Sequence, residues 1–144
     1  QKPVAISKSL GLINQKGEIF KPLNKSVPET LPMFEGRADV NKIMLQKYYE
    51  MNGMLSVINR KITYLKFDAR HALVLMVDNG LKVVLGRDDT VIRLKRLTRI
   101  YNKVLLARIN DIELVDLRYT NGMAIGWKKN IKNTQDLLGD MKNV

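Results

Sequence analysis

The sequence predicts an α+β domain, in which an antiparallel β-sheet carries two α-helices packed on it and ends in an open C-terminal edge strand. Three observations support this fold class. Asn-Gly dipeptides at 79–80 and 121–122 separate stretches rich in strand-forming residues, which is the strongest short signal for a β-hairpin. Two other stretches repeat apolar residues at helical spacing. Only polar sequence follows the last strand-like stretch, so that strand should end the sheet.

The N-terminal part predicts a hairpin followed by a long irregular segment. Lys16 and Gly17 separate two short apolar stretches, which is a moderate hairpin signal. Residues 21–37 contain three prolines, and proline cannot donate a hydrogen bond to a strand ladder. We therefore expect an irregular crossing loop that is anchored by its apolar side chains, Leu23, Val27, Leu31 and Phe34.

A first helix is predicted over residues 39–59, where apolar residues recur at helical spacing. Asp39 is the kind of residue that caps a helix N-terminus. Methionines at positions 33, 44, 51 and 54 would suit a soft peptide-binding face, but core packing is the more common use of such side chains. We therefore expect these methionines in the core.

The segment around the first Asn-Gly predicts strands at 62–67, 71–78 and 81–86. Both faces of the middle strand are apolar, which is typical of a central strand covered on each side. A second helix is predicted over 89–107, with acidic residues at the positive end of its dipole. The final strands are predicted at 112–119 and 122–128.

The composition and motifs offer no catalytic constellation. The 144 residues suffice for one domain, the absence of cysteine excludes disulfides and thiolate metal sites, and no apolar run approaches the ~20 residues that span a bilayer. His71, the only histidine, is more simply explained as a structural or solvent-edge residue than as a catalyst. Asp88 and Asp89 are explained by the helix that follows them.

A formal net charge of +11 favours a negatively charged partner, which could be nucleic acid, an anionic membrane surface or an acidic protein. Arg96, Arg99 and Lys103 lie opposite the apolar stripe of the second predicted helix, where they could bind nucleic acid or simply be solvated. Single-strand recognition also uses aromatic platforms, and Tyr101 falls on the buried side. A basic nucleic-acid-binding domain therefore stays as the alternative function.

The C-terminal hairpin is the stronger candidate for a binding site. Tyr119 is predicted on the packed face of strand 112–119, with Asp116 and Arg118 on a wet face, and small residues at 124 and 126 leave a shallow strip near Trp127. An open edge can accept a partner strand by β-augmentation, and Tyr, Trp and Arg are frequent binding hot spots. The other interpretation is that the two aromatics cap the core and that the arginine is solvated.

The segment "VDLRYTNGMAIGW" at 115–127 resembles the C-terminal signature of the FtsQ/DivIB cell-division proteins. Further blocks agree in the same order: "KPVA" at 2–5, "LPMFEG" at 31–36 and "DNGLKVVLGRDDTVIRLKR" at 78–96. The resemblance extends over essentially everything from Lys2 to Lys128.

The resemblance implies that residues 1–128 form the periplasmic β domain of such a protein and that 129–144 form a polar C-terminal tail. Residues 1–6 would be the end of, or the link from, a preceding POTRA domain. An N-terminal helix outside this sequence would anchor the protein in the inner membrane at the division site. Proteins of this family are non-enzymatic divisome scaffolds that bind FtsB and FtsL and support septal cell-wall synthesis. No cofactor, metal or nucleic acid is expected, and other divisome proteins would bind through the POTRA domain.

The resemblance also implies where FtsB binds. In the family, an FtsB segment adds to the open edge of the last strand, and the matching positions here are Arg118, Tyr119 and Trp127, with Arg70 from the start of an earlier strand. The full predicted partner-binding set is Arg70, Arg118, Tyr119, Asn121, Gly126 and Trp127. Many members have Arg where this chain has Gly126, so the edge strip here should be shallower and one charge poorer. Many also have Arg-Trp where this chain has Ile6 and Ser7, so no family role is carried over to that N-terminal pair.

Overall fold

In the computed structural model, which describes residues 2–8, 11–21 and 30–129, the described strands form one open sheet in the order β3-β2-β1-β4-β5-β6-β7-β8-β9. The strands are β1 (Pro3–Ser7), β2 (Gly11–Asn14), β3 (Ile19–Phe20), β4 (Met33–Glu35), β5 (Ile62–Phe67), β6 (Leu73–Val77), β7 (Lys82–Gly86), β8 (Ile112–Asp116) and β9 (Ala124–Trp127). The helices are α1 (Asn41–Leu55) and α2 (Thr90–Ile100). None of the helices in these ranges has the length and hydrophobicity needed to cross a bilayer.

The predicted α+β class is confirmed, and the sheet is mostly antiparallel, with parallel pairings between β1 and β4, β4 and β5, and β7 and β8. Parallel neighbours need a crossover connection, which α1 supplies between β4 and β5 and α2 between β7 and β8. Such crossovers are right-handed. Both crossovers connect strands that run in the same direction, and both move the chain in the same direction across the sheet. The two helices therefore lie on the same face of the sheet, where they contact each other.

The face beneath the helices contains the core. A row of paired residues, Leu65, Leu75, Val83 and Val115, crosses four strands and is fully buried. Val74 and Met76 point to the opposite face and are only half-buried, so the prediction that β6 is covered on both sides is wrong. The physical reason is the shared hand of the two crossovers, which puts both helices on one side.

The first predicted helix is confirmed, because α1 and short 3₁₀ turns at its ends cover nearly all of the predicted range. The predicted cap is wrong: Asp39 lies within the first 3₁₀ turn and pairs with Arg37 at 3.2 Å, and its side chain makes no capping hydrogen bond. Met44 and Met51 are fully buried. Met54 packs against the core and Met33 is partly exposed, so most of the methionines serve in packing as expected.

The segment predicted as an irregular loop contains β4, which the sequence did not indicate. It pairs in parallel with β1 through Met33 and Phe34, and in parallel with β5 through all three of its residues. Phe34, one of the predicted anchors, is 1% exposed, and Leu31 is half-buried. The other two, Leu23 and Val27, lie outside the described residues.

The second predicted helix ends earlier as an α-helix than expected. After α2 the chain continues as a π-helical turn, Tyr101–Leu105, and then as 3₁₀ structure to Asp111. The buried Tyr101 hydroxyl accepts a hydrogen bond of 2.8 Å from the Asn79 amide, which ties this turn to the β6–β7 hairpin. Asp89 occupies the N-cap position of α2 with φ of 54°, at the positive end of the helix dipole as predicted, and its side chain makes no capping hydrogen bond.

Candidate functional site

The C-terminal hairpin β8–β9 lies at the end of the sheet. Strand β8 pairs in parallel with β7 and antiparallel with β9, with Val115 opposite Ile125 and Asp116 opposite Ala124. Within the described ranges, no strand pairs with the outer side of β9, so the predicted open edge is confirmed.

The connection between these strands is longer than the predicted two-residue turn at Asn121 and Gly122. Strand β8 ends at Asp116 and β9 begins at Ala124, so residues 117–123 lie outside the hairpin ladder. The Leu117 N–H still donates to the Val84 carbonyl at 2.9 Å. Within this connection, side chains bond to backbone groups that the ladder leaves unpaired.

Arg96 of α2 is the first of these side chains. Its Nη1 donates to the carbonyls of Tyr119 at 3.0 Å and Gly122 at 2.9 Å, and its Nη2 donates to the carbonyl of Thr120 at 2.8 Å. One planar guanidinium therefore satisfies three acceptors that have left the ladder. From the sequence, Arg96 was expected in an exposed basic row. Its three bonds could not be predicted, because their acceptors are backbone carbonyls and no side-chain pattern marks them.

Arg118 forms an ion pair with Asp116 through two bonds, Nε to Oδ1 at 2.9 Å and Nη2 to Oδ2 at 2.7 Å. The Arg118 N–H also donates to Oδ1, at 3.1 Å. The Asp116 side chain is 13% exposed and that of Arg118 is 59% exposed, so the prediction that Asp116 lies on a wet face is wrong. The Arg118 side chain extends back along the chain and covers the Asp116 carboxylate.

Gly86 makes room for this ion pair. Its φ of +76° favours glycine, and a Cβ at this position would lie 3.0 Å from Arg118 Cγ and 2.9 Å from Arg93 Nη1. Arg93 in turn donates to the Leu85 carbonyl at 2.6 Å. Both arginine side chains therefore pass directly across the end of β7.

Hydrogen bonding and charge from Arg118 hold the pKa of the Asp116 carboxyl below its usual range. A depressed pKa in the folded state means that the pair stabilises the fold above the unfolded value of about 3.9 and that this contribution disappears as the pH falls through the folded value. Asp116→Asn should therefore lower stability at pH 7 and flatten the loss of stability between about pH 5 and pH 2. Denaturant unfolding followed across this range measures both effects.

The matched control for this change is Asp39→Asn, which removes an exposed carboxylate from its ion pair with Arg37. Exposed pairs contribute little, so this variant should follow the unmodified protein at every pH. If both variants shifted the unfolding curves equally, Asp116 would contribute no more than a surface carboxylate.

Tyr119 and Trp127 both project into solvent, with 53% and 46% of their surface exposed. The interpretation that these aromatics cap the core is therefore wrong. Tyr119 lies in the β8–β9 connection, whereas Trp127 pairs with Ile112 at the far end of the hairpin. The Arg108 guanidinium lies 4.9 Å from the centre of the Trp127 ring, in a cation–π contact that the sequence did not indicate.

Arg70 lies in the exposed turn between β5 and β6, where its N–H donates to Asp68 Oδ1 at 2.8 Å. Because β6 begins opposite Gly86 and Gly86 contacts Arg118, this turn is at the same end of the sheet as the β8–β9 connection. The structure therefore groups four predicted site residues at one end of the sheet, Arg70, Arg118, Tyr119 and Asn121, and places Trp127 at the other.

His71 follows in the same turn with φ of 65° and stacks on Phe67, with ring centres 4.8 Å apart. This is the structural role that the sequence favoured. Among the described residues, no group of three or more His, Cys, Asp or Glu side chains could hold a metal ion.

Gly126 does not leave the open strip that the sequence suggested, because Leu114 of the paired strand covers it. A Cβ at Gly126 would lie 2.8 Å from Leu114 Cγ, the branch point of that side chain. Gly126→Ala should therefore displace Leu114 and lower the free energy of unfolding by about 1–2 kcal/mol. A Cβ at Gly122 meets nothing within 4 Å, so Gly122→Ala is the control and should change little. Urea unfolding that found the two variants equal would contradict this steric role.

Comparison with known protein families shows that this domain is part of a cell-division protein. The family model described as "Cell division protein FtsQ/DivIB, C-terminal" matches residues 5–118. The chain therefore belongs to the FtsQ/DivIB family, as its sequence resemblance indicated. The match ends at Arg118, so Tyr119, Asn121, Gly126 and Trp127 lie beyond the matched residues.

Individual relatives agree with this assignment. Cell division protein FtsQ of Coxiella burnetii is 34% identical over 128 residues, which cover 89% of this chain and 53% of the relative. The FtsQ proteins of Shewanella oneidensis and Escherichia coli K12 are each 32% identical, over 88% and 87% of this chain and 48% and 47% of their own lengths. The chain thus spans about half the length of these relatives.

Proposed function

We propose that this domain is a non-enzymatic divisome scaffold that binds FtsB and FtsL homologues, and that an FtsB strand adds to the outer edge of β9. Residues 1–128 would form this periplasmic β domain, with 1–6 linking it to a POTRA domain and an N-terminal helix outside this sequence anchoring it in the inner membrane. Through these partners it would support septal cell-wall synthesis. The tail, residues 130–144 of which lie outside the described part, needs no role in this proposal.

The observation that carries the proposal is the position of the exposed aromatics at the two ends of an open edge. Tyr119 precedes β9 and Trp127 ends it, and each exposes about half of its surface. The four residues of β9 extend over roughly 10–13 Å at the usual rise per residue. A partner strand paired with β9 would therefore run between two aromatic side chains that can pack on it.

The charges near this edge suit an acidic partner. Arg118 is already neutralised by Asp116, so it offers oriented N–H donors more than net charge. Arg70 forms no ion pair with any described residue and lies at the same end of the sheet, so it is the freer cation. The net charge of +11 would also speed encounter with an acidic segment.

The alternative, nucleic-acid binding, has less support from the structure. It relied on a basic row along the second helix, but Arg96 is bonded to three carbonyls and Arg93 to a fourth. Both guanidinium groups are thus engaged by carbonyls of the protein, which leaves Arg99 and Lys103 as the exposed members of the row. Tight polyanion binding with a steep salt dependence would nevertheless reverse this ranking.

The test is calorimetric titration of the domain with a synthetic peptide from the periplasmic C-terminal region of the FtsB homologue of the same organism. Two further peptides carry N-methyl groups on alternate residues, in opposite phase. A strand that adds to an edge uses every second N–H for pairing, so one methylated peptide should lose binding and the other should keep it.

Two outcomes of this titration would count against the proposal. Equal binding of both methylated peptides would show that the peptide is recognised by its side chains alone, against strand addition. Binding by none of the peptides at high concentration would contradict the proposed site. Hydrogen exchange in the complex gives an independent check, because the outward-facing amides within 124–127, which do not bond to β8, should become protected when the edge is paired.

A further inference from the structure

We propose that Arg96 is a positioning residue, which holds the 117–123 connection in the shape that a partner strand recognises. This inference rests on the proposed function, since it explains how the recognition edge is presented. Arg96 itself is half-buried on α2 and need not touch the partner.

The geometry of the three hydrogen bonds supports this role. The carbonyls of Tyr119 and Gly122 both accept from Nη1, and that of Thr120 accepts from Nη2. The bonded residues enclose the part of the connection that carries Asn121 and leads into β9. The Arg96 guanidinium therefore fixes the backbone at Tyr119 and also the backbone just before the edge strand β9.

The helix that carries Arg96 is itself held firmly. Leu94 and Leu97, the residues on either side of the Lys95–Arg96 pair, are 0% and 1% exposed in the core. One turn earlier, Arg93 bonds the Leu85 carbonyl at the end of β7. The connection is thus attached to a rigid element and not merely to its own hairpin.

The consequence for binding is preorganisation. Without the three bonds, the backbone of 117–123 would leave its carbonyls to water and would sample many conformations. A partner would then have to order this segment as it binds, and that entropy would be subtracted from the affinity. With Arg96 in place, Tyr119 and the start of β9 are already arranged.

Two substitutions separate geometry from charge. Arg96→Lys keeps the positive charge but cannot satisfy three carbonyls, because an ammonium lacks the planar fork of a guanidinium. Arg96→Gln removes both the positive charge and the guanidinium geometry. If the role is positioning, both variants should bind the FtsB peptide about tenfold more weakly than the unmodified domain. Arg99→Lys and Arg99→Gln, on the exposed side of the same helix, are the matched controls and should bind normally.

Hydrogen exchange in the free domain supplies the readout that a general loss of stability would not reproduce. In both Arg96 variants the amides of 117–127 should exchange faster, whereas those of β6 should keep their protection. Equal losses in β6 would mean that Arg96 only stabilises the whole fold, and would overturn the inference. Full affinity in Arg96→Lys would also overturn it, by showing that charge alone matters. If the unmodified domain failed to bind the peptide, the proposed function would fall, and the presentation role would fall with it.

Discussion

Tyr119→Ala should weaken binding of the FtsB peptide by on the order of 2 kcal/mol or more, which is roughly a 30-fold increase in Kd. The expected loss is large because Tyr119 combines an exposed aromatic ring with a backbone that Arg96 holds in place, at the start of the open edge. Since the ring contributes little to the core, the variant should unfold at nearly the same denaturant concentration as the unmodified domain. Calorimetry and urea unfolding on the same samples measure the two quantities.

Tyr49→Ala is a closely matched control. Tyr49 lies on α1, away from the hairpin, and is 54% exposed, against 53% for Tyr119. Removing it should leave peptide binding unchanged. A similar loss of affinity in the two variants would indicate that the peptide binds nonspecifically to exposed aromatic rings.

Phe34→Ala should lower the free energy of unfolding by about 3–5 kcal/mol, a large part of the stability of a domain of this size. Phe34 is 1% exposed, and its ring meets that of Tyr48 edge-on with centres 5.7 Å apart. It is also the middle residue of a three-residue strand that joins β1 to β5. Its loss would therefore leave a cavity at the only link between the two parts of the described sheet.

The neighbouring substitution Met33→Ala tests whether this cost comes from burial. Met33 lies in the same strand but points to the uncovered face and is 36% exposed. Its removal should cost under about 1 kcal/mol. Equilibrium denaturation that gave the two variants the same midpoint would show that the position in β4, and not the buried ring, determines the effect.

Sequence patterns predicted the elements whose signals are local. Strand β5 begins and ends at the predicted residues, and the Asn79-Gly80 dipeptide lies in the β6–β7 turn as expected. Strand β4 could not be predicted because it is only three residues long and follows a proline, and because its pairing with residues near 7 and 65 depends on distant parts of the chain. The one-sided cover of the sheet likewise follows from topology, which no single strand encodes.

The features of the candidate site also separate into those that the sequence could predict and those that it could not. The hairpin, its aromatics and its position at the sheet edge could be predicted, because each depends on residue type and order. The ion pair that buries Asp116 and the three bonds of Arg96 could not. The first depends on a side chain that bends back over the strand, and the second depends on carbonyl groups that every residue possesses.

The two edges of the sheet are unequal, and this limits how copies of the domain can associate. Strand β3, at one edge, has two residues, and the sequence continues into Lys21 and Pro22, whereas β9 at the other edge has four. Two copies could join β9 to β9 about a twofold axis, but the described β3 edge is too short to template the next copy. Self-association through sheet edges would therefore stop at a dimer instead of growing into a fibre, and a docked partner strand would prevent even that step.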